Sequence, residues 1–337
     1  MKRIIRRRNT AGRKACFLLL LSLGLTLSSL LFSSQLTAAG IPVGTIKIAV
    51  HELNIKTDPA PSTLKDFVQL NMDKLSKEAT FKSWKGAESQ YYPLGPGTHG
   101  WLVNVMKDEQ RIGYLIITAK NEGGYELSEY GAGNEGLPYS LSQLRQLLVQ
   151  EGLISSSYSG TLSLTPLYSP ILPLWEVTIS GKRLYINAAE PEILPWNYNK
   201  AESVLKMSAT AVNLKFIAGD YKRTPQAIYR TAGTSDPFEN LLWITTPKLP
   251  TISDNDFSAV LKTKGNLVFQ SAGRNDIVGG PLMISGYQLW RAESVTGETG
   301  TKNTNKLYAV VGRDGKRFVP LSLLQQYGTL HEVIESQ

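Results

Sequence analysis

Three apolar segments follow one another between residues 100 and 130, and the joins between them are very short. The segments are GWLVNVMK, RIGYLIITAK and GYELSEY, and the joins are DEQ and NEGG. A crossover between parallel strands needs about a dozen residues or more, so these joins allow only antiparallel neighbours. The pattern therefore predicts an antiparallel meander in this part of the chain.

A helix is predicted on the N-terminal side of the meander. In PSTLKDFVQLNMDKLSKE, apolar residues recur on one helical face, at Leu64, Val68, Met72 and Leu75. Thr63, with Asp66 three residues later, is the predicted N-terminal cap. The short strand GTIKIAV, this helix and the meander define a first α+β module, residues 41–137.

The same plan, a helix followed by antiparallel strands, occurs a second time. SLSQLRQLLVQEG carries a capping box, with Ser140 at the cap and Gln143 three residues later, and Gly152 ends the helix. Its predicted buried stripe is Leu141, Leu144 and Leu148. The strands GTLSLTPLY, LWEVTIS and KRLYINA follow, with a turn at Gly181, and complete a second α+β module, residues 138–197.

Residues 198–337 are predicted to form a β-rich C-terminal domain. Strands are expected in PFENLLWITT, GNLVFQSA, PLMISGYQLWR and KLYAVVGRDGKRFVPL, the last with a hairpin turn at Asp314-Gly315. KAESVLKMSATAV and SLLQQYG are expected to be helical, and ESVTGETGTKNTNK to be a mobile loop. The predicted fold class is α+β: two small helix-plus-antiparallel-meander modules followed by a β-rich C-terminal domain.

Residues 1–40 have the composition of an export leader. Seven basic residues and no acidic one lie in the first 14, residues 16–33 are nearly all apolar or serine, and small residues follow at 38–40. This leader is predicted to be a signal peptide. If it stays uncleaved, it is predicted to be a membrane anchor, because the apolar run 16–33 has 18 residues and a spanning helix needs roughly 17–25. The predicted location is extracytoplasmic, secreted or anchored at the cell surface.

The leader also accounts for the positive charge of the chain. The formal net charge is +8, and removing the seven basic residues of the leader leaves +1. A nucleic-acid footprint would need a basic patch in the folded part, so no nucleic-acid partner is predicted. The one cysteine, Cys16, lies in the leader. The exported part therefore has no disulfide, thiolate metal site or cysteine nucleophile.

The short motifs of the chain predict no catalytic, cofactor-binding or metal-binding residue. GPGTHG and GAGNEG match a dinucleotide pattern but lack its parallel strand–loop–helix context. The isolated His51, His99 and His331 are interpreted as surface or turn residues. DNDFS lacks the glycine at the sixth place and the acid at the twelfth place of a calcium loop, and Glu190 with Glu192 is interpreted as an exposed turn.

Aromatic residues cluster in both modules. They are Trp84, Tyr91, Tyr92, Trp101, Trp175, Tyr185 and Trp196. One interpretation is core and edge packing of small sheets, since aromatic residues favour half-buried pleated surfaces. The other is a groove for an extended peptide that adds a strand to an open sheet edge.

Two segments resemble known families. Residues 81–140, with SWKGA, GYLII, ELSEYG and the closing Pro138-Tyr139, resemble a pro-region-like module of exported bacillus-type proteins. Those proteins carry a papain-related, bacteriocin-processing cysteine-peptidase-like domain further along the chain. PLWEVTISGKRLYINAAEPEIL, residues 173–194, resembles the strand pair of PepSY-type modules, which are associated with protease inhibition and extracellular regulation.

The resemblance implies the companion modules without the peptidase chemistry. A cysteine peptidase needs a Cys followed by a His and an Asp or Asn, and Tyr308 stands near the place of that His. The leading hypothesis is a non-enzymatic exported cell-envelope protein that binds or regulates peptides or a protease partner. The alternatives are an extracytoplasmic hydrolase without a recognisable motif and a membrane-tethered sensor subunit. No cofactor is expected, and the membrane is a partner only through residues 16–33 if the leader is uncleaved.

Overall fold

The computed structural model describes residues 53–55, 59–95, 100–120, 123–160, 162–211, 223–233, 236–273, 275–292 and 305–334. The predictions for the leader, the strand GTIKIAV, His51, His99 and the loop residues 293–304 lie outside these ranges. The α+β class is confirmed, with a large antiparallel sheet, a small sheet and helices packed against them.

The large sheet has eleven strands and contains the predicted meander. Its order is β16-β12-β13-β14-β15-β5-β4-β3-β2, and β10 and β11 pair with β13. Its strands are β2 (Glu88–Leu94), β3 (Gly100–Lys107), β4 (Gln110–Ala119), β5 (Tyr125–Ala132), β10 (Arg223–Pro225), β11 (Tyr229–Arg230), β12 (Leu267–Ser271), β13 (Leu282–Ala292), β14 (Lys306–Val311), β15 (Arg317–Pro320) and β16 (Gly328–Glu332). The β3–β4 and β4–β5 pairs are antiparallel, as the short joins predict.

The small sheet is built from the second module and one early strand. Its order is β1-β6-β7-β8-β9, and only the β1–β6 pair is parallel. The strands are β1 (Leu53–Ile55), β6 (Leu162–Ser169), β7 (Leu172–Ile179), β8 (Lys182–Asn187) and β9 (Glu192–Ile193). Gly181, at φ +77°, makes the predicted turn between β7 and β8.

The first helix, α1 (Ser62–Leu75), buries its predicted stripe but begins differently from the prediction. Leu64, Val68, Met72 and Leu75 are at most 1% exposed. Pro61 precedes the helix, and no side chain caps it, so the predicted Thr63 cap is wrong. The fixed φ of proline already orients the first turn, and its missing N–H costs nothing there.

The second helix, α2 (Leu141–Gln150), begins at its predicted cap. The Ser140 side chain accepts a hydrogen bond from the Gln143 N–H at 3.3 Å. The reciprocal half of the capping box is not formed, because Gln143 Oε1 is buried without a partner among the described residues. Leu144 and Leu148 are buried, and Leu141 is half-buried against the same core.

Two cores lie on opposite faces of the β3–β4 region. Alternate residues of a strand point to opposite faces, so Val103 and Leu115 pack against α1, whereas Leu102 and Ile116 pack against α2 and the small sheet. The short 3₁₀ helix Ala79–Trp84 adds Trp84 to the α1 core. The pocket lined by Tyr92, Arg111 and Trp175 lies on the α2 side.

The pairing of β5 with β15 makes the large sheet continuous. Tyr130 lies opposite Phe318, and their rings stack with centroids 4.8 Å apart. Gly131 lies opposite Arg317, where a Cβ would overlap the carbonyl oxygen of Lys316. The large sheet therefore crosses the predicted boundary at residue 198, while the domain boundaries themselves stay a prediction.

In the C-terminal part, one predicted strand is helical. PFENLLWITT contains a 3₁₀ helix, Leu241–Thr245, which follows Asn240, whose side chain accepts the Leu242 N–H at 2.9 Å. This Asn cap turns the chain, and only Trp243 of the apolar run is buried. The remaining helices are α3 (Tyr198–Ala211), α4 (Phe257–Lys264), α5 (Asn275–Val278) and α6 (Leu321–Tyr327). The sequence predicted α3 and α6 and missed α4 and α5.

Candidate functional site

A pocket of about 270 Å³ lies on the face of the large sheet that α2 and the small sheet cover. Its walls include Tyr92, Asn104 and Arg111 on β2–β4, Tyr139 before α2, and Trp175 on β7. We call it the Arg111 pocket. It combines aromatic walls with two charged residues, Arg111 and Glu109, and a few polar groups among apolar walls are typical of a binding site.

Arg111 enters the pocket from the start of β4. It follows a tight turn in which Asp108 and Glu109 have φ of +49° and +63°. Its Nη1 donates to the Pro138 carbonyl oxygen at 2.7 Å, and its guanidinium carbon lies 5.4 Å from the centroid of the Tyr114 ring. Nε and Nη2 are buried and have no acceptor among the described residues.

The charge of Arg111 has no counter-ion in the described part of the chain. Burial lowers the pKa of Arg111 to about 10, while Tyr114, Tyr92 and Tyr139 act in the opposite direction. The side chain is therefore still a cation at neutral pH. A buried cation without a partner is costly, so the pocket favours an anion at this position.

The buried Arg317 shows the opposite arrangement. Its Nε and Nη2 donate to the two carboxylate oxygens of Glu129 at 2.8 and 3.2 Å, and Nη2 also donates to the Ile171 carbonyl at 2.9 Å. Burial opposes the charge, yet the Glu129 carboxylate and the neighbouring Tyr114 hold the pKa of Arg317 above its ordinary value. The pair joins the neighbouring strands β5 and β15 of the large sheet, and the bond to Ile171, between β6 and β7, connects it to the small sheet.

Two tyrosines complete the link around Glu129. Tyr114 donates to Oε1 at 2.6 Å and Tyr168 to Oε2 at 3.1 Å. Burial, followed by the charge of Glu129, raises the pKa of both hydroxyls well above the ordinary value. Both hydroxyls therefore stay protonated and donate to the Glu129 carboxylate. The Tyr114 hydroxyl thus bonds to the Glu129–Arg317 pair, and the Tyr114 ring packs against the Arg111 guanidinium.

The Arg111 pocket also contains an acceptor without a donor. Asn104 Oδ1 is buried, and no group in the described ranges donates to it. Asn104 is on β3, opposite Tyr114 in the β3–β4 pair. Buried polar groups are normally hydrogen-bonded, so an orphan acceptor and two orphan donors in one pocket define the chemistry of a fitting ligand.

The start of α2 forms another wall of the pocket under backbone strain. Tyr139 has φ +62°, a left-handed conformation that aromatic residues rarely adopt. Its N–H donates to the Ala188 carbonyl at 2.9 Å and its hydroxyl to the Leu167 carbonyl at 2.7 Å. Its ring meets Trp175 edge to face at 5.3 Å. These contacts to the small sheet hold the strained residue in place.

The pocket lies beside the last strand of the large sheet. β2 pairs with β3 on one side, and the Gly95 N–H at its end donates to the Pro166 carbonyl on the other side at 3.1 Å. Alternate N–H groups of a strand point to the same edge, so those of Ser89 and Tyr91 also point away from β3. No described backbone group pairs with them.

The acidic and histidine motifs of the sequence lie elsewhere. Glu190 and Glu192 are exposed and line two adjoining clefts of about 520 and 390 Å³ that share Arg317. His331 is buried in β16, with Nδ1 3.1 Å from the Thr246 carbonyl, so its interpretation as a surface residue is wrong. The described residues contain no group of three or more His, Cys, Asp or Glu that could hold a metal ion.

The other motifs have local roles. Asp254 of DNDFS accepts the Leu307 N–H at 3.0 Å just before α4. GAGNEG ends β5 inside the antiparallel sheet, with Gly133 and Gly136 at positive φ. Of GPGTHG, only Gly95 and Gly100 are described.

All seven aromatic residues pack in or against a core, as the first interpretation predicts, and two of them also line the Arg111 pocket. Trp84, Tyr185 and Trp196 are buried in cores, and Tyr91 and Trp101 pack against the α1 core. Tyr92 and Trp175 line the Arg111 pocket. Sequence reasoning missed Arg111, Asn104 and the Glu129–Arg317 pair. The only available signal was their position within otherwise apolar strand segments.

Comparison with known proteins gives no family. No protein-family model matches the chain, and no curated protein matches it. Within the described residues, no helix has both the length and the apolar character needed to cross a membrane.

Proposed function

We propose that this chain is an exported, non-enzymatic cell-envelope protein that binds extended peptide segments along β2. The observation that carries the proposal is the unpaired edge of β2 next to the Arg111 pocket. An extended peptide binds such an edge through main-chain hydrogen bonds, and neighbouring pockets then select its side chains.

The backbone of β2 supports this mode of binding. The N–H groups of Ser89 and Tyr91 and the carbonyl groups of the same residues face the open edge, by the alternation that Gly95 establishes. Pro93, two residues after Tyr91, also faces the open edge, so its missing N–H does not break the pairing of β2 with β3. The edge therefore offers a few main-chain hydrogen bonds, and the choice of peptide depends on contacts in the Arg111 pocket.

Two sequence features support the location and the class of partner. The export leader predicts an extracytoplasmic protein. The resemblance of residues 81–140 and 173–194 to modules found beside peptidases favours a peptide or a protease partner. The β2 strand and much of the Arg111 pocket belong to the first of these segments.

The experiment compares two substitutions at one position. Ser89→Pro removes the N–H that faces the open edge, whereas Ser89→Ala keeps it and removes the hydroxyl, which donates to Met72 Sδ at 3.1 Å. The full-length chain, expressed with its leader and purified from the cell envelope, is incubated with a synthetic pool of random hexapeptides. Captured peptides are identified by mass spectrometry and their affinities measured by fluorescence polarisation.

We expect wild type and Ser89→Ala to capture the same peptides and Ser89→Pro to bind them at least about tenfold more weakly, a loss of about 1.4 kcal/mol. Equal binding by Ser89→Pro would show that peptides do not use this edge. Capture of no peptide by wild type would contradict the proposed function itself.

A further inference from the structure

We infer that the Arg111 pocket recognises the C-terminal carboxylate of the bound peptide. This inference rests on the proposed function and names the chemical group that the site selects. The starting point is the contrast between Arg317 and Arg111: Glu129 neutralises Arg317, whereas no described carboxylate pairs with Arg111, whose Nε and Nη2 are buried.

The guanidinium of Arg111 has the donors that a carboxylate needs. Nη1 is held by the Pro138 carbonyl, which leaves Nε and Nη2, the two adjacent N–H groups that bind a carboxylate in a fork. Both atoms are screened from bulk solvent. Recognition of a carboxylate by these two groups therefore includes, in our inference, a rotation of the guanidinium into the pocket. An arriving carboxylate gains two charge-assisted bonds and neutralises a buried cation.

Asn104 distinguishes a terminal carboxylate from an acidic side chain. The last residue of a peptide carries an N–H close to its carboxylate, and Asn104 Oδ1 is an orphan acceptor in the same pocket as Arg111. The carboxylate of an Asp or Glu side chain lies further from its backbone N–H. The chain terminus therefore offers its carboxylate and its N–H closer together than an acidic residue does.

The other walls suit the side chain of that last residue and the negative charge. Leu102, Leu137 and Leu141 line the pocket with Trp175 and provide an apolar surface. The first turn of α2 opens onto the same space, and the partial positive charge at a helix N-terminus favours an anion there. The expected ligand is an extended peptide that ends in an apolar residue.

The distances between strands allow one peptide to reach both features. Arg111 lies on the third strand from the open edge, so a strand added beside β2 is about 14 Å away at the usual spacing of about 4.8 Å. Three extended residues span about 10 Å, and the long arginine side chain covers the rest. The last three residues of the peptide must leave the edge and cross Tyr92.

The test uses three synthetic hexapeptide pools on the full-length protein purified from the cell envelope. One pool has free C-terminal carboxylates, the second is the same pool as C-terminal amides, and the third is an amide pool with one glutamate in each peptide. We expect wild type to bind free acids at least tenfold more tightly than either amide pool. Equal binding of acids and amides would overturn the inference.

Variants assign the preference to the pocket. Arg111→Gln should bind acids and amides equally. The control is Arg313→Gln, which removes an arginine whose side chain is 64% exposed, and it should keep the wild-type preference. Asn104→Asp places a carboxylate inside the pocket and should abolish the preference by supplying an internal counter-ion. Urea unfolding of each variant verifies the fold, and an unchanged preference in folded Arg111→Gln and Asn104→Asp would refute the assignment.

The outcomes separate this inference from the proposed function. If peptides bind, Ser89→Pro weakens them and acids and amides bind equally, edge binding stands and carboxylate recognition fails. If acids are preferred through Arg111 and Ser89→Pro has no effect, carboxylate recognition stands and the β2 edge is not used. If the glutamate-containing amides bind as tightly as the free acids, and both bind more tightly than the plain amides, Arg111 recognises acidic side chains. That result would contradict the inference.

Discussion

Removing the negative charge of Glu129 should destabilise this protein strongly. Glu129 is fully buried and accepts from both Arg317 nitrogens and from the hydroxyls of Tyr114 and Tyr168. In Glu129→Gln, one amide oxygen still accepts a hydrogen bond, but Arg317 keeps its charge and loses its counter-ion. Breaking a buried pair in this way costs about 3–5 kcal/mol, a large fraction of the about 5–15 kcal/mol that stabilises a typical domain.

The assay is urea unfolding followed by tryptophan fluorescence, since Trp84 and Trp175 are buried in the two cores beside this link. With a slope of about 1–3 kcal/mol per molar urea, the midpoint should fall by about 1 M or more. The double variant Glu129→Gln/Arg317→Met removes the orphan charge and should recover most of the loss, because an apolar side chain replaces a charge that has no partner.

A surface pair provides the matched control. Lys206 and Glu202 lie 2.8 Å apart on α3, with side chains 74% and 43% exposed. Glu202→Gln makes the same chemical change in water and should leave the unfolding midpoint unchanged. If Glu129→Gln shifts the midpoint no more than Glu202→Gln, or if Arg317→Met adds to the loss instead of reversing it, the argument from buried charge is wrong.

Two further predictions test the packing and the pH dependence. Gly131→Ala should lower the midpoint of thermal unfolding, at a cost of about 1–3 kcal/mol, because its Cβ would overlap the Lys316 carbonyl and the Tyr114 ring where β5 meets β15; an unchanged midpoint in differential scanning calorimetry would contradict this close approach. Burial raises the pKa of Asp254 above its ordinary value of about 4. The protonated carboxyl therefore stabilises the native state at a pH below the ordinary pKa, and this contribution is lost as the pH rises through the raised pKa. Asp254→Asn keeps an acceptor for the Leu307 N–H and should therefore stabilise the protein more at pH 7 than at pH 4 in urea unfolding; an equal effect at both pH values would exclude the shift.

The sequence by itself determined the elements whose signals are local. The short joins required the β3–β4–β5 meander, helical spacing placed the buried stripe of α1, and Ser140 capped α2. The turn at Gly181 followed from neighbouring residues in the same way. Such signals act within a few residues, so they are legible without knowledge of the rest of the fold.

The tertiary structure alone decided how these elements meet and which polar residues are buried. Glu129 and Arg317 are 188 positions apart, and neither periodicity nor turn residues could pair them or join β5 to β15. The same limit applied to the Leu241–Thr245 segment, where an apolar run read as a strand became a helix that buries one residue. An arginine at a strand terminus looks solvent-exposed in sequence. Arg111 became the centre of a pocket because α2 and the small sheet, which arrive later in the chain, cover it and leave two of its donors unused.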